Sequence, residues 1–335
     1  MAVMKSLKNL TQKKRRLKAK LIFNSAAGNP QQSADQLTQL LDHLQVTNIH
    51  PDVFLVHPEY DLSAVARQAV NEGYRFIIVS GGDGTIESVA CGLVGTRATL
   101  GIVPTGTRNN LARGLGIPSN NVAEAVAILR AGERIRVDVG HVQNHDSSRF
   151  FLEAASVGLV SALFPSADEI QHGDLGKITE FISTFVSHTP AEIHLRLDDS
   201  RQEIITQAHM VLIANMPYMG GNFQIAPDIS FDDRQLDVFV YSNLSKLDLI
   251  GHAVQVTTAA TDQRVDRYKA KRISITTNPA MPVLADGVLL KEGQVSVTVR
   301  SHALSVMANP AQPTHSVAPV LDQTAEEAIV LNPRS

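Results

Sequence analysis

The stretch "VSGGDGTIESVA" (residues 79–90) sets three glycines and an aspartate between two apolar runs. Glycine loses more conformational freedom on folding than any other residue, so three of them around one carboxylate mark a place that needs bare backbone. The preceding "RFIIVS" (75–80) reads as a strand, and Thr85–Leu93 reads as a helix with Thr85 as its N-cap. A strand, a glycine turn and a helix N-terminus gather backbone N–H groups in one place, an arrangement suited to phosphate. Asp83 inside such a turn repels phosphate unless a divalent cation such as Mg2+ lies between them. The stretch points to a nucleotide with its metal; the competing reading is a strained turn with a capping aspartate.

Outward from this turn, strand and helix alternate. "KLIFN" (20–24), "VFLV" (53–56) and "TLGIV" (99–103) read as strands, while Ser33–Leu44, Ala64–Asn71 and Val122–Ala131, closed by Gly132, have helical spacing. Such repetition implies a parallel sheet with helices on its faces, and ligands in such sheets sit beyond the carboxyl ends of the strands. A second loop, "PTGTRNN" (104–110), also follows a strand and precedes a helical segment. Two such loops side by side can clamp one triphosphate. Neither is a Walker A loop or a dinucleotide fingerprint.

After about residue 137 strand-like segments dominate, at 134–142, 150–158, 192–197, 204–214, 237–241, 271–277, 281–284 and 294–300, with helices around 175–187 and 245–256. The fold class read from this is α/β: an N-terminal parallel-sheet nucleotide-binding domain (20–136) and a mainly antiparallel β-sandwich (137–306). Residues 1–19 read as a basic disordered arm and 307–335 as a disordered tail. The length of 335 residues suits two domains. One cysteine, Cys91, excludes an intrachain disulfide framework and a cysteine-based metal site, and favours a reducing, cytoplasmic setting. No apolar run reaches the roughly 18 residues of a membrane span. The net charge of −3 conceals +8 in residues 1–20, which leaves −11, the difference, on the rest of the chain. An acidic body argues against nucleic acid as a partner, whereas the basic arm suits peripheral contact with an anionic membrane face.

The segments "NSAAG" (24–28), "SGGDGT" (80–85), "VPTGTRNNLAR" (103–113) and "LADG" (284–287), in this order, resemble the diacylglycerol kinase catalytic-domain family. That family includes soluble bacterial lipid kinases and the sphingosine and ceramide kinases. "FLEAASVGL" (151–159), "IANMPYMGG" (213–221) and "APDISFDDRQLDV" (226–238) are similar to its second domain, so the resemblance runs from about residue 20 to 306. It implies ATP-dependent phosphorylation of a lipid hydroxyl in a cleft between the two domains. Carried over by position, Asn24 and Gly28 lie near the nucleotide. Gly81, Gly82, Gly84, Thr85, Thr105, Gly106, Thr107 and Asn109 hold the phosphates. Asp286 takes the hydroxyl proton, Asp83 organises the metal, and Asp233 matches a structural Mg2+ position. A positioned carboxylate base is chemically sensible for an alcohol, a poor nucleophile near neutral pH.

The chain departs from the family pattern at several points. Val288 stands where a glutamate is usual after Asp286–Gly287, and Asn110 where an acid is usual. Ser88 replaces a usual glutamate, with Glu87 one position early. These departures set out the rival readings, a catalytically silent lipid- or nucleotide-binding protein of the same fold or an NAD kinase-like small-molecule kinase. A serine hydrolase elbow at "ASVG" and a histidine-based zinc site are disfavoured by context. Glu153 and Asp174 are further acids that can reach the cleft, and a homodimer is left open.

Overall fold

The computed structural model describes residues 16–309 except 29, 120, 164–174, 220–222, 243, 246–247, 249–261 and 263. Most of the arm, Asp174, the helix expected around 245–256 and the tail from 310 lie outside the described residues. The N-terminal unit runs β1 (Leu17–Phe23), α1 (Ser33–Val46), β2 (Ile49–Leu55), α2 (Leu62–Asn71), β3 (Phe76–Gly81), α3 (Asp83–Leu93), β4 (Thr99–Pro104), α4 (Asn110–Gly114) and α5 (Val122–Ala131). Every residue of β3 and β4 is buried, as expected of parallel strands covered on both faces. Helix α1 lays Leu40 and Leu44 into this core. Asp61 caps α2 by accepting from the Ser63 and Ala64 amides, and Asn121 caps α5 by accepting from the Glu124 amide.

Strand β1 takes in Leu17, Lys18 and Ala19, three residues the sequence reading assigns to the arm. The charged side chains are accommodated locally. The Lys18 ammonium lies 4.4 Å from the Tyr74 ring centroid, and Lys20 pairs with Asp52 at 3.5 Å, while Ala19 between them is fully buried.

The parallel order is β2-β1-β3-β4. The chain leaves β1 toward one side of the sheet and returns on the other. The strand order therefore reverses between β1 and β3, and ligands of such sheets bind at the carboxyl ends of the strands at this switch point.

The second half comprises β5 (Glu133–Gln143), β6 (Ser148–Phe151), β7 (Ala154–Gly158), helix α6 (Ile178–Ser187), β8 (Ala191–Leu197), β9 (Ile204–Ala208), β10 (Met210–Ala214), the short pair β11 (Tyr218–Met219) and β12 (Phe223–Gln224), β13 (Leu236–Val240), β14 (Asp266–Ala270), β15 (Arg272–Asn278), β16 (Val283–Ala285), β17 (Val288–Leu290) and β18 (Val295–Ala308). One sheet, β14-β13-β10-β7-β16-β17, faces β15, β8 and β18 of the other. Alternating residues such as Ile193 and Leu195, Ile273 and Ile275, and Val295 and Val297 fill the space between them.

The two units share a sheet. The long strand β18 pairs antiparallel with β5 and β15, and its end, at Ser305 and Val306, pairs parallel with β4. The boundaries read near 137 and 306 thus fall within strands of a continuous ten-stranded sheet. Two segments read as single strands, 150–158 and 204–214, each change sheet part-way, at Leu152–Glu153 between β6 and β7 and at His209 between β9 and β10. Apolar residues continue through both breaks, so the sequence pattern alone does not reveal the corner. A third change of sheet, at Lys271, separates β15 from β14 (266–270), a strand that the sequence reading leaves out.

Asp138, fully buried, ties this junction together. Its carboxylate accepts from the amides of Arg234 and His302, two residues with positive φ, at 64° and 49°. Burial nevertheless raises its pKa above the ordinary carboxylate range.

Gly140 on β5 lies opposite Phe151 on β6, and the fully buried Phe151 ring occupies the space that a Cβ at Gly140 would fill. Gly140→Ala is expected to destabilise the fold by about 1–3 kcal/mol through overpacking. In urea unfolding the midpoint should fall with the slope unchanged; an unshifted midpoint contradicts this packing.

Candidate active site

Three loops meet at the crevice, 24–28 after β1, 81–85 after β3 and 104–110 after β4. The Asn24 side-chain amide donates to the Thr85 hydroxyl at 2.8 Å, and the Thr105 amide donates to the Gly81 carbonyl at 3.0 Å. The loops approach so closely that a Cβ at Gly106 would collide with the Gly82 backbone, and one at Gly28 would lie 2.6 Å from the Thr105 carbonyl oxygen. Gly28 also has φ +72°, a conformation that glycine adopts at little cost. Gly84 faces open space, and Thr107 is exposed.

Thr85 is not the N-cap. Helix α3 starts two residues earlier, on the extended Gly82, and the Thr85 hydroxyl is bonded to Asn24 instead. Among the described residues the buried Ser80 and Thr105 hydroxyls and the Asn109 side-chain oxygen have no hydrogen-bond partner. Buried polar groups ordinarily have one. Bare backbone, a helix start and the two hydroxyls, which can donate, fit the phosphates of a nucleotide; the Asn109 oxygen, an acceptor only, does not add to that set.

Asp83 joins the second loop to the first. Its Oδ2 accepts from the Asn109 amide at 2.9 Å and its Oδ1 from the Asn110 amide at 2.7 Å. Asn109, at φ +55°, is held further by its own side chain donating to the Gly106 carbonyl at 2.6 Å.

Across the crevice Asp286 and Gly287 form the two-residue turn between β16 and β17, both with positive φ, as this tight hairpin demands. The Asp286 carboxylate accepts from three successive amides, those of Leu152, Glu153 and Ala154. These bonds favour the ionised form, but burial outweighs them and pushes the carboxyl up to about 6.

Glu87, one turn beyond Asp83 on α3, is buried, and its pKa is raised well above the carboxylate range by desolvation and then by Asp286, Glu153 and Asp83. Burial also pushes the Cys91 thiol up to about 12, which leaves it unreactive near neutral pH. These groups line a cleft of about 400 Å³ whose walls include Arg108, Arg149, Asn110 and Glu153 on the polar side and Val160, Met219, Leu284 and Val288 on the apolar side.

A phosphate cradle facing an acid pinned to a hairpin turn invites comparison with known kinases. The family described as diacylglycerol kinase catalytic domain matches residues 18–142, and the YegS C-terminal NAD kinase beta sandwich-like domain matches residues 165–308. The chain belongs to the diacylglycerol kinase catalytic-domain family. A diacylglycerol kinase of Bacillus subtilis (strain 168) is 26% identical over 277 residues, covering 81% of this chain and 89% of that protein. One from Staphylococcus aureus (strain MRSA252) is 25% identical over 280 residues, covering 81% and 86%. A crystal structure of a diacylglycerol kinase from Bacillus anthracis str. Sterne shares the fold with a TM-score of 0.71 at 24% identity, covering 90% of this chain and 99% of that one. A lipid kinase family with ATP as its phosphoryl donor follows at this level of likeness.

Of the residues read from the sequence, Asp83, Gly84 and Asp286 line the cleft, while Asn24, Gly28, Gly81, Gly82, Thr85, Thr105 and Gly106 belong to the loops that pack against one another beside it. The structure does not bring Asp233 there. The Asp233 Oδ2 pairs with the Lys269 ammonium at 2.7 Å, and its Oδ1 accepts from the Gln235 amide at 3.0 Å. Lys269 also approaches Asp237 at 3.8 Å, and Arg267 binds Asp237 and Asp228. A metal ion at Asp233 would have to displace the part-exposed Lys269 ammonium, so this carboxylate, as it stands, does not fit a structural Mg2+ ligand. Among the described residues no three His, Cys, Asp or Glu side chains form a metal-holding group. The cleft carboxylates are nonetheless hard oxygen donors of the kind Mg2+ takes, one or two at a time, alongside substrate phosphates.

Glu87, Arg149 and Arg108 did not emerge from the sequence as site residues. For Glu87 a signal exists: it is four residues after Asp83, hence on the same helix face, and it is an acid in an otherwise apolar helix.

Asp83→Asn keeps one acceptor for two amides and is expected to cost about 1–3 kcal/mol of stability. The looser second loop should weaken nucleotide binding at least tenfold by calorimetry; unchanged affinity would release Asp83 from this role. Separately, EDTA is expected to leave the melting temperature unchanged, whereas Lys269→Met should lose up to about 1 kcal/mol, the range for a partly exposed ion pair. A fall in melting temperature with EDTA alone would restore the metal to Asp233.

Proposed function

We propose that the chain is an ATP-dependent lipid kinase that transfers the γ-phosphate to the hydroxyl of a diacylglycerol-like acceptor. The observation that carries this reading is the position of Asp286, between the phosphate-type loops and an apolar wall, with its carboxyl raised to about 6. A base with a pKa just below neutral is ionised at the working pH yet strong enough to draw the proton from an alcohol as its oxygen attacks. Two carboxyls differ in role here. Asp286 is kept ionisable by three amides, whereas Glu87 has desolvation and three neighbouring acids against its charged form, which raises its pKa well above the carboxylate range.

Phosphoryl transfer requires little of a protein beyond positioning and charge stabilisation. The Gly82–Gly106 approach and the α3 N-terminus would align the nucleotide. Arg108 and Arg149 would face charge that develops on the transferred group. Bound Mg2+ would neutralise phosphate charge beside the cleft carboxylates. Val160, Met219, Leu284 and Val288 would pack the acyl or glycerol portion of the acceptor, and Val288, where an acid is usual, extends that apolar wall.

The test is transfer from γ-labelled ATP to diacylglycerol in mixed micelles with Mg2+. A lipid phosphomonoester is expected from the wild type. Asp286→Asn is expected to lower kcat by at least a thousandfold while nucleotide affinity stays within threefold and the chain remains folded. For the wild type, kcat should fall tenfold per pH unit below about 6 and level off above it, because protonation at low pH removes the base. Transfer by Asp286→Asn at the wild-type rate, or no acid limb near this pH, would assign the base elsewhere.

A further inference from the structure

At the amino ends of the parallel strands, away from the cleft, a cavity of about 390 Å³ is lined by Arg16, Lys18, Arg75 and Arg130, with Tyr74 in its wall. Arg16 and Lys18 flank the first residue of β1, Arg75 immediately precedes β3, and Arg130 lies in the last turn of α5. Strand β3 is six residues long, so the cavity and the 81–85 turn stand at opposite ends of it, about 20 Å apart.

No acid lines this cavity. Two acids on adjoining elements have other partners. Asp52 accepts from the Tyr74 hydroxyl at 2.6 Å and pairs with Lys20 at 3.5 Å, and Glu72 accepts from the Gln68 side chain at 2.8 Å. Asp52 feels the charge of Lys18 as well, but only as the weakest of its influences. Arg130 has a further contact of its own. Even with Arg130 counted as neutralised, three cations and no acid face the cavity.

Exposed basic side chains are ordinarily just solvated, and a cluster of them is not yet a site. Here their attachment is rigid. Tyr74 is buried with its hydroxyl held by Asp52, and the Lys18 ammonium lies 4.4 Å from the centroid of its ring. Arg75 sits between the buried Tyr74 and Phe76, and its carbonyl accepts from the Thr99 amide at 2.9 Å. Next to Arg16, the Leu17 amide donates to the Asn48 carbonyl at 3.1 Å. Guanidinium groups offer planar forks of donors that match pairs of phosphate oxygens. A phosphate presents its oxygens tetrahedrally and can meet such donors from several sides, whereas a carboxylate presents two in one plane.

The charge along the chain adds a steering field. Residues 1–20 carry +8 against −11 on the remainder, and the arm joins the described structure at Arg16, on the cavity itself. An anion near this acidic molecule is therefore drawn to this edge.

We propose that the cavity is a second anion site that takes a phosphate group, free or as the headgroup of a lipid. None of its residues lines the cleft, so this site and the kinase reading stand or fall separately.

The experiment uses the full-length chain. Calorimetry measures binding of inorganic phosphate and of glycerol phosphate, and co-sedimentation measures binding to phosphatidylcholine vesicles with and without phosphatidic acid. Arg16→Gln with Arg75→Gln removes two charges from the cavity and no side chain from the core. Arg201→Gln with Lys271→Gln removes two charges from exposed positions of the second unit, so both variants have the same net charge. The cavity pair is expected to weaken binding of the soluble phosphates, the acidic vesicles or both at least tenfold, with the control pair within twofold of the wild type. Loss for the soluble phosphates alone identifies a free phosphate as the occupant, and loss for the vesicles alone identifies a headgroup. Wild-type binding by the cavity pair, matching losses in both pairs, or a wild type that binds neither probe would each overturn the proposal. Thermal unfolding checks that both pairs fold. If the cavity pair does not, Arg75→Lys, which keeps the charge but loses the fork, carries the comparison, with a loss of at least threefold expected and no loss overturning it.

Discussion

Three consecutive amides, at Leu152, Glu153 and Ala154, converge on the single carboxylate of Asp286. The chain crosses there from one sheet of the sandwich to the other, and neither sheet can satisfy those N–H groups. Left unpaired in a buried position, each would cost about 1–3 kcal/mol, so the crossing depends on this aspartate. The same three bonds decide where the hairpin β16–β17 sits, since the Asp286 amide returns a bond to the Ala154 carbonyl at 3.1 Å. They also hold the backbone of Glu153. One interaction thus closes a corner of the fold and places the candidate base.

Asp83 does for the N-terminal unit what Asp286 does for the second. Each is an acid in a glycine-containing turn, and each spends its oxygens on backbone amides of a segment remote in sequence. At both positions a functional reading and a capping reading compete when only the sequence is considered. The structure shows that capping and placement in the cleft coexist: each carboxylate lines the cleft while its oxygens hold remote backbone amides. Asp138 too accepts two amides, those of Arg234 and His302, and it lies at the junction of the two units.

What could be read from the amino-acid sequence was whatever is local. The glycine turn at 81–84, the strand–helix alternation and the apolar periods of α1 and α5 are short-range patterns, and they located the parallel sheet and its ligand edge. Family likeness placed Asp286. The corners at 152–153 and 209 were hidden because apolar residues run on through them, and the strand at 266–270, with two acidic or basic residues at its start, gave no strand signal at all. The contact of Asn110 with Glu153 was hidden because a hydrogen bond spanning 43 residues leaves no local trace. Thr85 looked like a cap since hydroxyls often are caps, and only its contact with Asn24, 61 residues away, shows otherwise. The carboxylate of Asp233 matched a metal position by its neighbours in sequence, but the deciding group, Lys269, comes from a strand 36 residues further on.

The end of β18 has a bearing on biosynthesis. Because Ser305 and Val306 complete the sheet beside β4, the nucleotide unit cannot close its hydrogen-bonding edge until almost all of the described chain has left the ribosome. During synthesis β4 presents open backbone groups for the time it takes to make some two hundred residues, an interval of about 10–40 s at ordinary elongation rates. Unpaired edges of this kind invite association between chains. The early half of the molecule is therefore an obligate waiting intermediate, and a fragment ending near residue 136 would keep that edge permanently. The two units are joined through this last strand, and the sheet they share is completed only when it arrives.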